Sequence, residues 1–247
     1  MDTLEAATAS GDAINGLGTH FMLDMATYVY GETLGFQGMD FYVGGRGGPL
    51  GDVPSGVVAA AFVFFEPTFI DAAWARTASV KPRLEAATEF AGVAHRWAEA
   101  KVPDEFPAAR LAELAKAVSD AASPATAPLF AAWRALEEPG ADRPKALAIH
   151  RINGLRELRG ALHGDAIIAQ GITPHEAVAR RTPYMLGAFG WTEPHPDRDQ
   201  VKPKWAEAQA ATERAVSPAF EPLSDADRAE FVTLVNQLQT AVTTIAP

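Results

Sequence analysis

Apolar residues recur every three to four positions along most of the chain, and strict polar–apolar alternation is scarce, so the pattern predicts an almost wholly helical protein. Thr3 to Asn15 reads as a helix of mixed face, broken by Gly16 and Gly18. A second helix runs from His20 to Thr33, with Phe21, Met25, Tyr28 and Val29 at core spacing and His20 as its boundary residue. Leu34 to Asp52 is glycine-rich and reads as a loop. Pro54 to Phe65 is a strongly apolar helix, and Phe62, Phe64 and Phe65 read as core. Helices follow at Pro67 to Ala75, Pro82 to Ala100, Pro107 to Ala122 and Pro124 to Leu136, each opened by a proline in its first turn. Glu138 to Pro144 is a loop, and Pro144 to Gln170 is one long helix. Thr173 caps the next helix with Glu176 three residues on. A short helix is expected between Thr182 and Trp191, then a proline-rich turn that leaves His195 exposed. Pro203 to Val216 and Ser224 to Thr244 complete the pattern.

The long helix is the most informative stretch. At 100° per residue its side chains fall into three stripes. Leu155, Leu158 and Leu162 form a core seam. His150, Glu157 and Ile168 form a second stripe, and Arg156, Arg159 and His163 a third. A helix at the surface keeps its charges on one face, whereas this one carries them on two. Glycine inside a helix costs about 1 kcal/mol against alanine. Gly154, Gly160 and Gly164 therefore imply close approach by another backbone or by a ligand.

Arg46 sits among the five glycines between Gly44 and Gly51. The segment could wrap an anion with its amides and the Arg46 guanidinium, or be a structural turn. No Gly-Lys-Ser/Thr follows it, so it is not a Walker loop. The residues point to a polar pocket for an anionic small molecule, built from Arg46, His150, Arg156, Glu157, Arg159 and His163. The structural alternative is a buried ion-pair network in which Glu157 pairs with Arg46 and holds the glycine segment to the helix. A single metal site on this helix is disfavoured, since His163 points about 140° away from His150. The residues name no cofactor, and no nucleophile–base pair is visible, so enzymatic activity stays open.

The chain has 247 residues and 48% hydrophobic residues, a globular composition. The loop before the long helix divides it into 1–140, an N-terminal helical domain with the glycine/arginine loop, and 141–247, the central helix with a C-terminal helical part. No apolar run reaches the roughly 20 residues that a membrane helix needs, and the N-terminus has no signal-peptide pattern, so a cytoplasmic protein is expected. There is no cysteine, which excludes disulfides and thiolate chemistry. The net charge of −10 weighs against nucleic acid as a partner, because non-specific affinity for it comes from lysine and arginine.

His150, Leu155-Arg156-Glu157, Arg159-Gly160 and His163, in that order, resemble a signature of a largely uncharacterised actinobacterial family labelled helix-turn-helix. The resemblance extends to Gly45-Arg46-Gly47, Pro49-Leu50-Gly51 and the helix from Val57 to Phe62, and covers most of the chain. Leu223 to Leu238 resembles the last helix of a MarR-type regulator, which implies a winged helix upstream. Between Thr173 and Lys204 neither a basic recognition helix nor a basic wing stands out, and Arg180-Arg181 is the one adjacent basic pair there. The expected fold is thus an all-α, multi-helix bundle with a degenerate winged-helix-like C-terminal part. The leading functional expectation is a cytoplasmic small-molecule-binding protein, with enzymatic activity open and the charge balance weighing against nucleic acid without excluding a local basic patch. The alternative is a MarR-like DNA-binding regulator, a homodimer through its terminal helices.

Overall fold

A computed structural model describes residues 1–244, and among them there are twelve α-helices, three short 3-10 turns and no strand. The helices are α1 (Thr3–Leu23), α2 (Met25–Thr33), α3 (Asp40–Gly47), α4 (Ser55–Phe62), α5 (Pro67–Ala78), α6 (Arg83–Lys101), α7 (Ala108–Ala121), α8 (Pro128–Arg134), α9 (Pro144–Ala169), α10 (Pro174–Arg181), α11 (Lys202–Val216) and α12 (Asp225–Thr244). This is the all-α bundle that the hydrophobic spacing implies. Helix α9 is its axis, packed against α1, α6, α7, α8 and α11. Leu155 and Leu158 are buried as the stripe analysis requires, and so are His150 and Glu157 on the second stripe. The main core draws on residues from α1 through α12, with Phe21, Phe41, Phe62, Phe90, Phe130 and Phe231 among its largest members.

Two of the expected boundaries are wrong for the same physical reason. Helix α1 runs straight through Gly16 and Gly18 to Leu23, and α2 starts only at Met25, where the Asp24 side chain accepts the Ala26 N–H at 2.9 Å. His20 therefore lies in the last turn of α1, stacked on Trp97 with ring centroids 5.9 Å apart. The glycines are contact points. A Cβ on Gly16 would sit 2.6 Å from the Gln239 amide of α12, and one on Gly18 would overlap the Arg156 side chain of α9. The Gly44 to Gly47 segment is likewise not a loop but the second half of α3. Its backbone lies against α5 and α6, where a Cβ on Gly45 would overlap the Phe90 ring and one on Gly47 would meet Trp74 at 3.1 Å. Its amides are spent within the helix, so it does not wrap an anion.

Two opposite glycine substitutions test this account. Gly45→Ala is expected to destabilise the fold by about 1–3 kcal/mol, the cost of overpacking. Gly160→Ala on α9, where an added Cβ meets nothing within 4 Å, is expected to stabilise it by up to about 1 kcal/mol. Urea denaturation of both variants reads the pair, and a stabilising Gly45→Ala would contradict the close approach of α3 and α6.

Smaller differences follow from local chemistry. The apolar helix expected to reach Phe65 stops at Phe62, because Val63 takes φ +54° and Phe64 N–H bonds back to the Phe62 carbonyl at 2.6 Å. That tight turn is rare for a β-branched residue. Helix α8 begins only at Pro128, and Pro183–Met185 is a single 3-10 turn rather than a helix reaching Trp191.

Candidate functional site

Arg46 leaves the last turn of α3 and reaches the middle of α9. Its Nε and Nη2 donate to the two carboxylate oxygens of Glu157 at 2.9 and 2.8 Å, a bidentate pair. Nη1 donates to the Tyr42 hydroxyl at 3.2 Å, and the guanidinium carbon lies 4.4 Å from the centre of the Phe62 ring. Arg156 Nη1 donates to the same Glu157 at 2.8 Å. Burial alone would raise the Glu157 pKa, but Arg46 and Arg156 beside it outweigh this and hold it below the ordinary carboxylate range. Burial pulls Arg46 down, and Glu157 more than reverses that, so both groups stay charged. Arg159 donates to Glu213 of α11, and its guanidinium lies over Gly11 of α1, where a Cβ would sit 2.7 Å from Nε.

These side chains border a cavity of about 230 Å³ lined by Arg46, Arg156, Glu157, Arg159 and His163, so five of the six expected site residues share one space. Gly160 opens onto it, and Gly164 lets Val63 approach to 2.9 Å from where its Cβ would be. His163 Nδ1 is 2.9 Å from the Thr212 hydroxyl, which already donates its proton to the Ala208 carbonyl. The hydroxyl therefore accepts, Nδ1 carries the ring proton and Nε2 is a bare acceptor. Burial, then Arg159 and Arg181, lower the His163 pKa to about 4, so the ring is neutral at pH 7.

His150 does not join them. It faces the other side of α9, where its Nδ1 is 3.1 Å from His95 Nε2 and its ring is 5.2 Å from that of Trp133. Burial lowers its pKa to about 4 and that of His95 to about 3, the latter with help from His150 itself, so the pair is neutral at pH 7. A contact between residues 55 apart leaves no local pattern, so nothing in the sequence pairs His95 with His150.

The end of α9 carries a second feature. Ala169 ends the helix, and the chain turns through Gly171, at φ +65°, directly into α10. The connection between the two helices is as short as that of a helix-turn-helix unit. Thr173 caps α10: Glu176 N–H donates to its hydroxyl at 3.2 Å, and Thr173 N–H donates to the Glu176 carboxylate at 2.7 Å. Ala177, Val178 and Ala179 are buried beneath α10. Arg180 and Arg181 occupy its last turn, paired with Asp199 and Asp12. Lys204 at the start of α11 places Nζ 3.5 Å from the Gly171 carbonyl. His195, expected to be exposed, is half-buried with Nδ1 3.1 Å from His175 Nε2.

A family model described as a helix-turn-helix family matches residues 8–210. No curated protein and no solved structure matches the chain. The family match overturns the expectation of a small-molecule-binding protein with an anionic ligand and without nucleic acid, since the family points to nucleic-acid binding. Two physical points lie behind the correction. The arginines that were to hold an anion already hold carboxylates of the protein. The net charge of −10 is a sum over the chain, whereas residues 171–204 carry five Lys/Arg against four Asp/Glu.

Proposed function

We propose, from the premise that the chain belongs to the helix-turn-helix family, that it is a DNA-binding transcriptional regulator whose reading unit is α9, the Gly171 turn and α10. The family match over residues 8–210 carries this reading. The short glycine turn between the two helices supports it, as does the docking of α10 through a small apolar face that leaves its polar edge outward. In units of this kind the second helix enters the major groove and its neighbours hold phosphates. Arg180 and Arg181 are the candidates for base edges. Arg198, Lys202 and Lys204 are the candidates for phosphates, and all three are exposed.

Lysines and arginines that neutralise phosphates release counterions, so the affinity is expected to fall with salt. Regulators with this unit bind two-fold sites as dimers, and a homodimer in the cytoplasm is part of the proposal. The resemblance of α12 to the last helix of MarR-type proteins narrows the reading to that kind of regulator.

Fluorescence anisotropy with a labelled random duplex at low salt tests the proposal. The protein is expected to bind, and Lys202→Ala with Lys204→Ala to weaken binding about tenfold at 50 mM salt while lowering the salt slope by about two. Binding that is absent at low salt, or unchanged by the double substitution, would remove this surface from the reading.

A further inference from the structure

We propose that His175 and His195 form a binding site for a late first-row divalent metal ion, zinc(II) in the first instance, which fastens the loop after Trp191 to the first turn of α10. The inference stands on these residues and holds whether or not the chain binds DNA.

The first argument is the spacing of the two rings. His175 Nε2 and His195 Nδ1 face each other 3.1 Å apart, with the ring planes at 85°. An ion about 2.0–2.1 Å from each imidazole nitrogen sees those ligands about 3.3 Å apart when tetrahedral and about 2.9 Å apart at a right angle. The pair already stands at that bite. An ion on its solvent side requires the rings to tilt, not the backbone to move. Both rings are half-buried, open enough for a hydrated ion to reach. Neutral imidazole suits zinc, copper and nickel among the divalent ions.

The second argument is that each ring is held from behind. His175 lies flat on Trp191, with centroids 4.4 Å apart and planes 10° apart, and the Trp191 indole N–H donates to the Phe64 carbonyl at 2.9 Å. His195 is oriented by Glu193. One carboxylate oxygen accepts the His195 backbone N–H at 3.1 Å, and the other lies 3.5 Å from Nε2. A ligating imidazole commonly turns its second nitrogen to a carboxylate, which fixes the tautomer and raises the basicity of the ligand. A proton on Nε2, facing Glu193, leaves Nδ1 bare for the ion. Burial, then His195, lower the His175 pKa, so that ring keeps a lone pair at pH 7. The ion thus replaces the hydrogen bond between the rings by a change of tautomer, with no proton lost from the pair.

The third argument is the charge around the pair, and the other histidine pair supplies the contrast. His95 Nε2 and His150 Nδ1 are also 3.1 Å apart. There His150 is buried and its Nε2 has no partner. Arg143 and Arg96 put positive charge beside His95, while Glu138 and Arg151 oppose each other at His150. Around His175 the neighbouring charges are Glu176 and Glu193, both negative. A cation is therefore disfavoured at the inner pair and favoured at the outer one. Among the described residues no three His, Asp or Glu side chains gather at one point. The Glu176 carboxylate is spent on the Thr173 cap. Water completes the coordination, which leaves the site open to solvent.

Isothermal titration calorimetry of the whole chain with zinc chloride at pH 7.5 is the measurement. Wild type is expected to take up one ion per chain. His195→Ala, folded by its thermal melt, is expected to lose at least about tenfold in affinity. Glu193→Gln is expected to weaken binding by about tenfold, the usual cost of removing a carboxylate behind a ligating histidine. Zinc is expected to raise the thermal midpoint of wild type, as any ligand of the folded state does, and to leave that of His195→Ala unchanged. With copper(II) as the probe, electron paramagnetic resonance of wild type is expected to show coupling to two imidazole nitrogens, a readout that needs no variant to fold. No saturable zinc binding by wild type, equal binding by folded His195→Ala, or a copper spectrum with fewer than two imidazole nitrogens would overturn the site. Binding unaffected by Glu193→Gln would overturn the orienting role of that carboxylate.

Discussion

Glu157→Gln is expected to cost the fold about 3–5 kcal/mol, the range for breaking a buried ion pair from one side. The substitution keeps the shape of the side chain and removes only its charge. Arg46 is then left buried with the Tyr42 hydroxyl and the Phe62 ring, neither of which offsets a full positive charge. Arg156 loses the same partner but borders the cavity, where solvent can reach it. The asymmetry gives a sharp comparison. Replacing the pair together, Arg46→Met with Glu157→Leu, removes both charges and puts apolar volume between Phe62 and the core seam of α9. The double variant is expected to recover at least half of the loss, since apolar replacement of a buried pair is often neutral or better. Urea denaturation with matched slopes measures all three proteins. A loss under about 1 kcal/mol for Glu157→Gln would mean that the pair is solvated, contrary to its burial.

The second large effect is with pH. His95, His150 and His163 are held neutral in the fold, with pKa values lowered to about 3, 4 and 4. In the unfolded chain each titrates near 6.5. Between those limits the unfolded chain binds more protons, so stability rises with pH, and the contribution is lost as pH falls below 6.5. At pH 5 each histidine accounts for about 2 kcal/mol by this linkage, and the three together for about 4–6 kcal/mol, since His95 and His150 share one contact and do not add freely. Glu157 works in the same direction but lower: its lowered pKa gives stability that is lost only below about 4.5, and the two effects separate in a titration. Denaturation midpoints at pH 7.5, 6.5, 5.5 and 5.0 are expected to fall steeply over the last two steps, and His163→Gln to flatten the slope by about a third. A midpoint unchanged from pH 7.5 to 5.0 would mean that the histidines take up protons in the folded protein.

The helical bundle and the role of α9 were legible because periodicity is a local property, and one turn of helix already shows it. The Arg46–Glu157 pair was legible as one of two readings: an arginine among glycines and a glutamate on a buried stripe need each other. Which glycines bend the chain was not legible. Gly171 and Gly45 look alike in sequence, yet one takes a positive φ and the other lies flat against a phenylalanine in a regular helix. The choice depends on what packs there, which is long-range information. The same limit hid the His95–His150 contact and put His150 into a cavity on the wrong side of α9. Net charge misled for a related reason: a whole-chain sum says nothing about the balance within the short stretch from Gly171 to Lys204.

The pairing of α1 with α12 bears on how the protein comes off the ribosome. The glycine at 16 is made well before the surface it lies against, which includes Gln239, about 220 residues later. At about 5–20 residues per second of synthesis, α1 waits roughly 10–40 s for its neighbour. During that interval its apolar face is available to chaperones and to other nascent chains. Closure of the bundle over this face waits for the synthesis of α12, and a chain truncated before α12 leaves that side of its first helix uncovered.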